Sequence, residues 1–254
     1  MFRIATYNIH KCRGLDRRVR PGRIAEVLAE VNADIVALQE VWSVEGGTGE
    51  ANQARHIARA LGMECVAGIN RSFSGGAYGN VVLSRLPLGA HANHDITWRK
   101  REPRGCLRVD VETEGALLHI FNVHLGTAFV ERRHQGRRLM DADILNDDEL
   151  TGARVVLGDF NEWMRGLASD LLARNFQVAD PRTHLRRSRT YPGVIPLLHL
   201  DHIYFDNALE LVALTLHRSR AALIASDHLP LVADFKLRPA TAIDSASQDS
   251  SSHP

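Results

Sequence analysis

The stretch Asp34-Ile35-Val36-Ala37-Leu38-Gln39-Glu40 decides the fold class. Its apolar run, Ile35 to Leu38, matches a strand buried on both faces. It stops on an amide and a carboxylate. Working outward, Pro21 suits the first turn of a helix, and Ile24, Val27, Leu28 and Val31 follow at helical spacing. Before that, Phe2–Asn8 reads as a strand. On the other side, Ala54, Ile57, Ala58 and Leu61 predict a helix over 51–61, with Gly62 as its stop. Strands then dominate: Asn80–Ser84, Gly89–Thr97, Cys106–Thr113 and Leu117–Val123, the last two joined through Glu114-Gly115. A charged helix is expected over 130–147, a buried strand over Arg154–Leu157 and a short helix over Gly166–Ala173. Leu200–Phe205, Glu210–Leu216 and Leu231–Leu237 complete the strands. Strands outnumber helices and come in runs. That pattern predicts an α/β sandwich, two packed sheets with helices outside, in one domain over 1–238. No repeat of close sequence identity is present.

Bulk properties bound the rest. The chain has 254 residues, 44% hydrophobic and 24% charged, with a net charge of +1. This is ordinary for a globular protein, and no global field draws it to nucleic acid or membranes. No apolar run approaches a membrane span. Met1–Tyr7 enters a strand-like segment without the basic start, apolar middle and cleavage site of a signal peptide, so a cytoplasmic protein is expected. Cys12, Cys65 and Cys106 have no CxxC or zinc spacing and read as free thiols. The Ser-rich segment 239–254 lacks the apolar surface to fold and is expected to be disordered. Lys occurs only at positions 11, 100 and 236. Arg suits phosphate, but a GC-rich genome that writes Arg in place of Lys is the preferred explanation of the bias.

Polar residues capable of binding metal or moving protons fall at the ends of strand-like segments. They are Asn8, Glu40, His124, the pair Asp159 and Asn161, and Asp201, with Asp227-His228 just before the final strand. Each has an ordinary explanation alone. Glu40 could be a solvated strand end, His124 a satisfied histidine, Gly158-Asp159-Phe160-Asn161 an Asx-turn, and Asp227-His228 a loop cap. Their joint occurrence at strand ends is not what turns produce by chance. Carboxylate and amide oxygens suit Mg²⁺ or Mn²⁺, and Mg²⁺ takes one or two carboxylates and fills its remaining positions with water and substrate phosphate. Glu40 with one acid of the Asp159/Asp227 group would suffice.

The ordered segments Thr6-Tyr7-Asn8-Ile9-His10, Leu38-Gln39-Glu40-Val41, Asn122-Val123-His124-Leu125, Gly158-Asp159-Phe160-Asn161-Glu162, Leu200-Asp201-His202-Ile203 and Ser226-Asp227-His228-Leu229-Pro230-Leu231 resemble the signature of the endonuclease/exonuclease/phosphatase family. The family includes DNase I-like nucleases, neutral sphingomyelinases and inositol-polyphosphate phosphatases. The resemblance implies a four-layer α/β sandwich of two mostly antiparallel sheets flanked by helices. It implies Mg²⁺ or Mn²⁺, with Glu40 as principal metal ligand, Asn8 nearby and Asp227 assisting. Asp159 and Asn161 would position the attacking water and a phosphate oxygen. His228 would be general base or phosphate clamp, oriented by Asp201, and His124 would hydrogen-bond the scissile phosphate. Whether Asp159 or His228 takes the water's proton stays open at this level.

His124 and the run Tyr78-Gly79-Asn80-Val81-Val82-Leu83-Ser84-Arg85 resemble the sphingomyelinase, DNase I and phosphatase branches. Thr190-Tyr191-Pro192 with Pro196-Leu197-Leu198 resembles small single-domain bacterial members. Asn80, Asn8, Trp98 and Arg104 are the expected substrate contacts. His10 stands where exonuclease III-like members carry an acid, which puts a second family ligand in doubt. Basic clusters at Arg17-Arg18-Arg20, Arg99-Lys100-Arg101, Arg132-Arg133-Arg137-Arg138 and Arg186-Arg187-Arg189 would suit nucleic acid or an anionic lipid head group, or are solvated faces. The expected activity is metal-dependent hydrolysis of a phosphodiester, with a phosphomonoesterase or an inactive binding protein of the same fold as alternatives. The expected partner is a phosphate-ester substrate, acting on a monomer with no obligate protein partner.

Overall fold

Strand β1 (Phe2–Asn8), helix α1 (Pro21–Val31) and strand β2 (Ile35–Ser43) form a β-α-β unit whose strands lie parallel. Pro21 opens the helix, and Asn32, in left-handed conformation, closes it. The computed structural model describes residues 1–43, 49–73, 75–113, 115–162, 166–184, 189–192 and 198–238. Helix α2 (Gln53–Leu61) is capped by the Asn52 side chain, which accepts from the Arg55 amide, and ends at Gly62 with φ 63°. Strands β3 (Glu64–Phe73) and β4 (Gly76–Ser84) form a hairpin on the free side of β2.

The second half is built alike. Strands β5 (Leu88–Asp95) and β6 (Gly105–Thr113) form a hairpin beside β7 (Ala116–His124), and α3 (Phe129–Leu139) crosses to β8 (Ala153–Asp159), which is parallel to β7. Helix α4 (Leu167–Asn175), the short β9 (Gln177–Val178) and α5 (Pro181–His184) follow, then β10 (Asp201–Phe205), β11 (Leu209–Leu216), α6 (Ala222–Ala225) and β12 (Leu231–Leu237). The two six-stranded sheets run β11-β12-β1-β2-β4-β3 and β5-β6-β7-β8-β10-β9. Each has one parallel pair at its centre and antiparallel neighbours on both sides.

Three apolar cores separate four layers. Ile24, Leu28 and Ile57 pack the first helices on Leu38 and Val81 of the first sheet. Ile4, Ile35, Val109, Ile120 and Phe235 fill the space between the sheets. Phe121, Phe160, Leu139 and Leu172 join the second sheet to α3 and α4. This is the expected sandwich. Towards one end the inter-sheet layer turns polar. There the Gln39 amide donates to Thr6 Oγ1 (3.0 Å) and Asn122 Oδ1 (2.8 Å), and Asn122 donates to the Leu38 and Val81 carbonyls, both 2.9 Å. Asn122 and the Gln39 nitrogen are satisfied in this way, whereas Gln39 Oε1 is buried without a hydrogen-bond partner.

Several boundaries depart from the sequence reading. β3 is a largely exposed edge strand of mixed apolar and polar residues, which the sequence reading did not mark. α3 stops at Leu139, not near 147, because Asp141 and Asp143 turn back to pair with Arg138. Asp201 opens β10 instead of ending a strand, and lies opposite Asp159. The expected disordered tail 239–254, the turn residue Glu114, and Arg186, Arg187, Pro196 and Leu197 lie outside the described residues. Among the described residues no helix is long and apolar enough to cross a membrane. The three thiols are unpaired, with Cys12 and Cys106 buried and Cys65 half-buried.

Candidate catalytic centre

The carboxyl ends of the two parallel pairs meet at one edge of the sandwich. β1 and β2 bring Asn8 and Glu40 there, and β7 and β8 bring His124 and Asp159. Ligand sites in α/β sheets form at this end of parallel strands. Gly158 permits the approach. Its φ is 146°, and a Cβ there would lie 1.9 Å from the Val123 carbonyl oxygen.

Asp159 is the hub. Its Oδ2 accepts from Asn8 Nδ2 at 2.9 Å and lies 3.5 Å from His124 Nε2 and 3.6 Å from His228 Nε2. Its Oδ1 accepts from the Asn161 backbone amide at 2.9 Å, so the expected Asx-turn is present within the site. Burial pushes Asp159 up to about 6, against the opposing pull of His228. The Nδ1 of His228 lies 2.9 Å from Asp201 Oδ2. Burial works against charge on this ring, but Asp201 and Asp159 outweigh it and raise its pKa. The Ser226 hydroxyl donates to the Asn8 carbonyl at 2.8 Å and accepts from the His228 amide at 3.3 Å, pinning this loop to β1.

His124 has the opposite character. Arg104 Nη1 lies 2.8 Å from its Nδ1. A guanidinium only donates, so Nδ1 is the acceptor and Nε2 carries the hydrogen, facing Asp159. Burial first, then Arg104, His228 and Lys11, hold His124 well below the usual histidine range. It is a neutral donor. Arg104 itself is anchored by Glu102 at 3.0 Å.

The other side of the centre is open. Glu40 Oε2 and Asp227 Oδ2 flank His10 Nδ1 at 3.8 and 3.6 Å, with the Glu40 and Asp227 side chains 18% and 26% exposed. Glu40 does not end its strand. It sits at a bulge between Leu38 and Val41, in left-handed conformation with φ 56°. His10, Lys11 and Asn161 share that sign of φ, and such backbone strain clusters at functional sites. Asn8 turns its amide nitrogen towards Glu40 Oε1 (3.4 Å), while its oxygen accepts from the His10 amide at 3.0 Å. Oriented so, it aligns the two acids and directs no oxygen at a cation on Glu40, which departs from the expected ligand role. Among the described residues no cage of three or more His, Cys, Asp or Glu exists. Two half-buried carboxylates with free access to water still fit a hard cation such as Mg²⁺, which keeps several waters.

The remaining expected contacts divide. Asn80 is buried, and its amide nitrogen donates to the Gly105 and Asn122 carbonyls at 3.1 and 3.2 Å, tying the sheets together. Asn161 Nδ2 donates to the Leu125 carbonyl at 2.8 Å. Trp98 packs on Arg99 and near His134, beside the site's rim rather than in its centre. Arg132 is buried on the Gly126 and Thr127 carbonyls and Arg138 pairs with Asp141 and Asp143, so these two arginines of α3 serve the fold. Three neighbours escaped the sequence reading as site residues. Lys11 lies over the Tyr78 ring at 5.2 Å, and Tyr191 lies 4.9 Å from the His228 ring. Their proximity is tertiary and has no local signal.

Comparison with known proteins agrees with this geometry. The profile of the Endonuclease/Exonuclease/phosphatase family matches residues 5–228. The chain belongs to that family. The uncharacterized protein YbhP of Escherichia coli (strain K12) is 32% identical over 247 residues, 93% of this chain and 96% of its own. A mannosyl-6-phosphatase from Bacteroides thetaiotaomicron superposes with a TM-score of 0.73 at 15% identity, covering 93% of this chain and 100% of its own. The human Nocturnin catalytic domain with bound sulfate gives 0.72 at 19%, covering 93% and 94%. These structures establish the shared fold. Membership in the endonuclease/exonuclease/phosphatase family implies hydrolysis of phosphoester bonds, and enzymes of the family typically use divalent metal ions.

Proposed function

We propose that the chain is a Mg²⁺- or Mn²⁺-dependent phosphodiesterase that acts by in-line attack of water. One observation carries the reading: a single oxygen of Asp159 gathers Asn8, His124 and His228 beside the open carboxylates of Glu40 and Asp227. Glu40 would hold the cation, with Asp227 assisting. A cation so held supplies positive charge at the phosphoryl oxygens.

The protein's own groups then divide the work. Asp159, raised by burial, accepts the water's proton, and its two oxygens and the Asn161 turn orient that water. His228, kept charged between Asp201 and Asp159, donates to a phosphate oxygen and offsets the charge that grows in the transition state. His124 presents a neutral Nε2–H to the same phosphate. Arg104 fixes its tautomer. Arg104 is already committed to His124 and Glu102, so the charged His228 ring and Lys11 are the cations that face the centre, a modest complement that suits a singly charged diester.

The test is hydrolysis of bis-p-nitrophenyl phosphate, p-nitrophenyl phosphate and plasmid DNA with Mg²⁺, Mn²⁺ or EDTA. Diester turnover that needs metal and is lost in Glu40→Ala and His228→Ala supports the reading. Faster turnover of the monoester would replace it with a phosphatase. Turnover indifferent to EDTA would sink the mechanism.

A further inference from the structure

The same edge that carries the centre also carries most of the exposed large apolar side chains among the described residues. Among the described residues ten large apolar side chains are exposed, and seven of them lie on segments at this edge. They come as pairs. Leu15 and Val19 stand on loop 13–20, which follows β1. Ile69 and Phe73 lie at the β3–β4 tip, which pairs with the outer end of β2. Phe129 and Val130 open α3, just beyond His124. Ile224 accepts from Leu15 across the rim. Scattered singly, such residues need no explanation; gathered around one mouth they mark an interaction surface.

Cations are interleaved with them. Arg13, Arg17, Arg18 and Arg20 are exposed on loop 13–20, Arg71 beside Phe73, and Arg99, Lys100 and Arg101 on the β5–β6 loop next to Trp98. Two of the nearby acids are already held, Asp16 by Arg23 and Glu102 by Arg104. The three cation–ring contacts among the described residues, Lys11 on Tyr78, Arg71 on Phe73 and Arg99 on Trp98, all lie here. Glu26 and Glu50 stand beside Val19 and Arg20, but the exposed Arg and Lys side chains outnumber these acids, so the rim is positive and apolar at once although the whole chain carries only +1.

We propose that this edge docks on an anionic lipid surface. Nucleic acid would use the cations, but its contacts are polar, and Leu15, Val19, Ile69 and Val130 offer it neither hydrogen bonds nor a stacking face. A lipid interface uses both: apolar side chains enter the headgroup boundary while Arg and Lys meet the anionic phosphates. Docking of this kind needs no membrane-crossing helix. The inference deepens the phosphodiesterase reading only in that docking sets the Asp159 centre facing lipid phosphates. The docking itself does not depend on turnover.

The test is flotation of the purified chain with vesicles of phosphatidylcholine alone or mixed with phosphatidylglycerol, alongside hydrolysis of soluble bis-p-nitrophenyl phosphate. The chain should float with the mixed vesicles and be released by salt. The doubles Val19→Ser/Phe129→Ser and Arg18→Ser/Lys100→Ser should each lower partitioning by about tenfold or more. Neither should change hydrolysis of the soluble ester. Failure of the wild type to float with either vesicle overturns docking and leaves the phosphodiesterase reading standing. So does tighter binding to duplex DNA that only the charge double weakens. Flotation without any ester turnover would instead overturn the phosphodiesterase reading and keep the docking face.

Discussion

The two sheets contribute the same construction to the site and different chemistry. Each offers the ends of a parallel pair joined through a helix, β1-α1-β2 in one and β7-α3-β8 in the other. From the first come Asn8 and Glu40, and Glu40 faces water across His10. From the second come His124 and Asp159, whose side chains are only 5% and 2% exposed and are held by Arg104, Asn8 and the Asn161 turn. One half is partly open to water. The other is dry and preorganised, where fixed charges act most strongly. On the proposed reading, a repeated frame separates metal handling from proton handling.

The largest effects should come from two buried groups, Asp159 of the second sheet and His228 of the loop before β12. Asp159→Asn and His228→Ala should each lower kcat about 10³- to 10⁴-fold, leaving the Mg²⁺ concentration for half-maximal rate nearly unchanged. Glu40→Ala should also reduce the rate, but with that Mg²⁺ requirement raised at least about tenfold. Steady-state rates across a Mg²⁺ series check both. A shift of Mg²⁺ requirement in Asp159→Asn but not in Glu40→Ala would erase the division of labour.

The joint between the halves comes next. Asn122→Ala removes donors and an acceptor from the buried seam with Gln39, Leu38 and Val81, and should cost about 2–4 kcal/mol of stability. Urea denaturation measures this, and a loss under about 0.5 kcal/mol would mean that water repairs the seam. A smaller effect follows from His124, which stays neutral when folded and takes a proton near pH 6.5 when unfolded. Because its folded pKa is depressed, stability is full above that pH. It falls as the pH drops, by up to about 1.4 kcal/mol per unit. The urea midpoint of His124→Gln should decline less between pH 7.5 and 5.5 than that of the wild type, by roughly this slope. Equal declines would mean that the histidine charges in place. Smallest of all, Arg138→Ala on the solvent side of α3 should change stability by no more than about 1 kcal/mol and diester turnover not at all.

What could be read in advance followed from local pattern. The buried strands around Ile35–Leu38 and Val155–Leu157 announce themselves by composition, and their polar ends announced the site. Family and architecture were legible from those ends taken together. β3 was missed because its apolar residues, Ile69 and Phe73 among them, are mixed with polar ones and lie largely exposed on an edge strand. Glu40's place within a strand depends on a bulge, which pairing with β4 creates. Asn80 carries the family-like residue, yet its nitrogen is tied to two backbone carbonyls, a use that only the approach of the second sheet reveals. Lys11, Tyr78 and Tyr191 reach the centre through contacts between distant segments. The likeness of the two halves is not carried by close sequence identity, since buried strands require only apolar residues of suitable shape.

The seam of Gln39 and Asn122 bears on how the molecule can come apart. Apolar layers tolerate small lateral slips, whereas paired amides are either registered or not. If the sandwich opens first at its polar end, as a cooperative unit smaller than the whole, the centre is dismantled while the greasy remainder stays closed. Amide protons of Asn122 and Leu38 would then exchange ahead of those of Ile4 and Ile120, and inactivation would precede unfolding on heating.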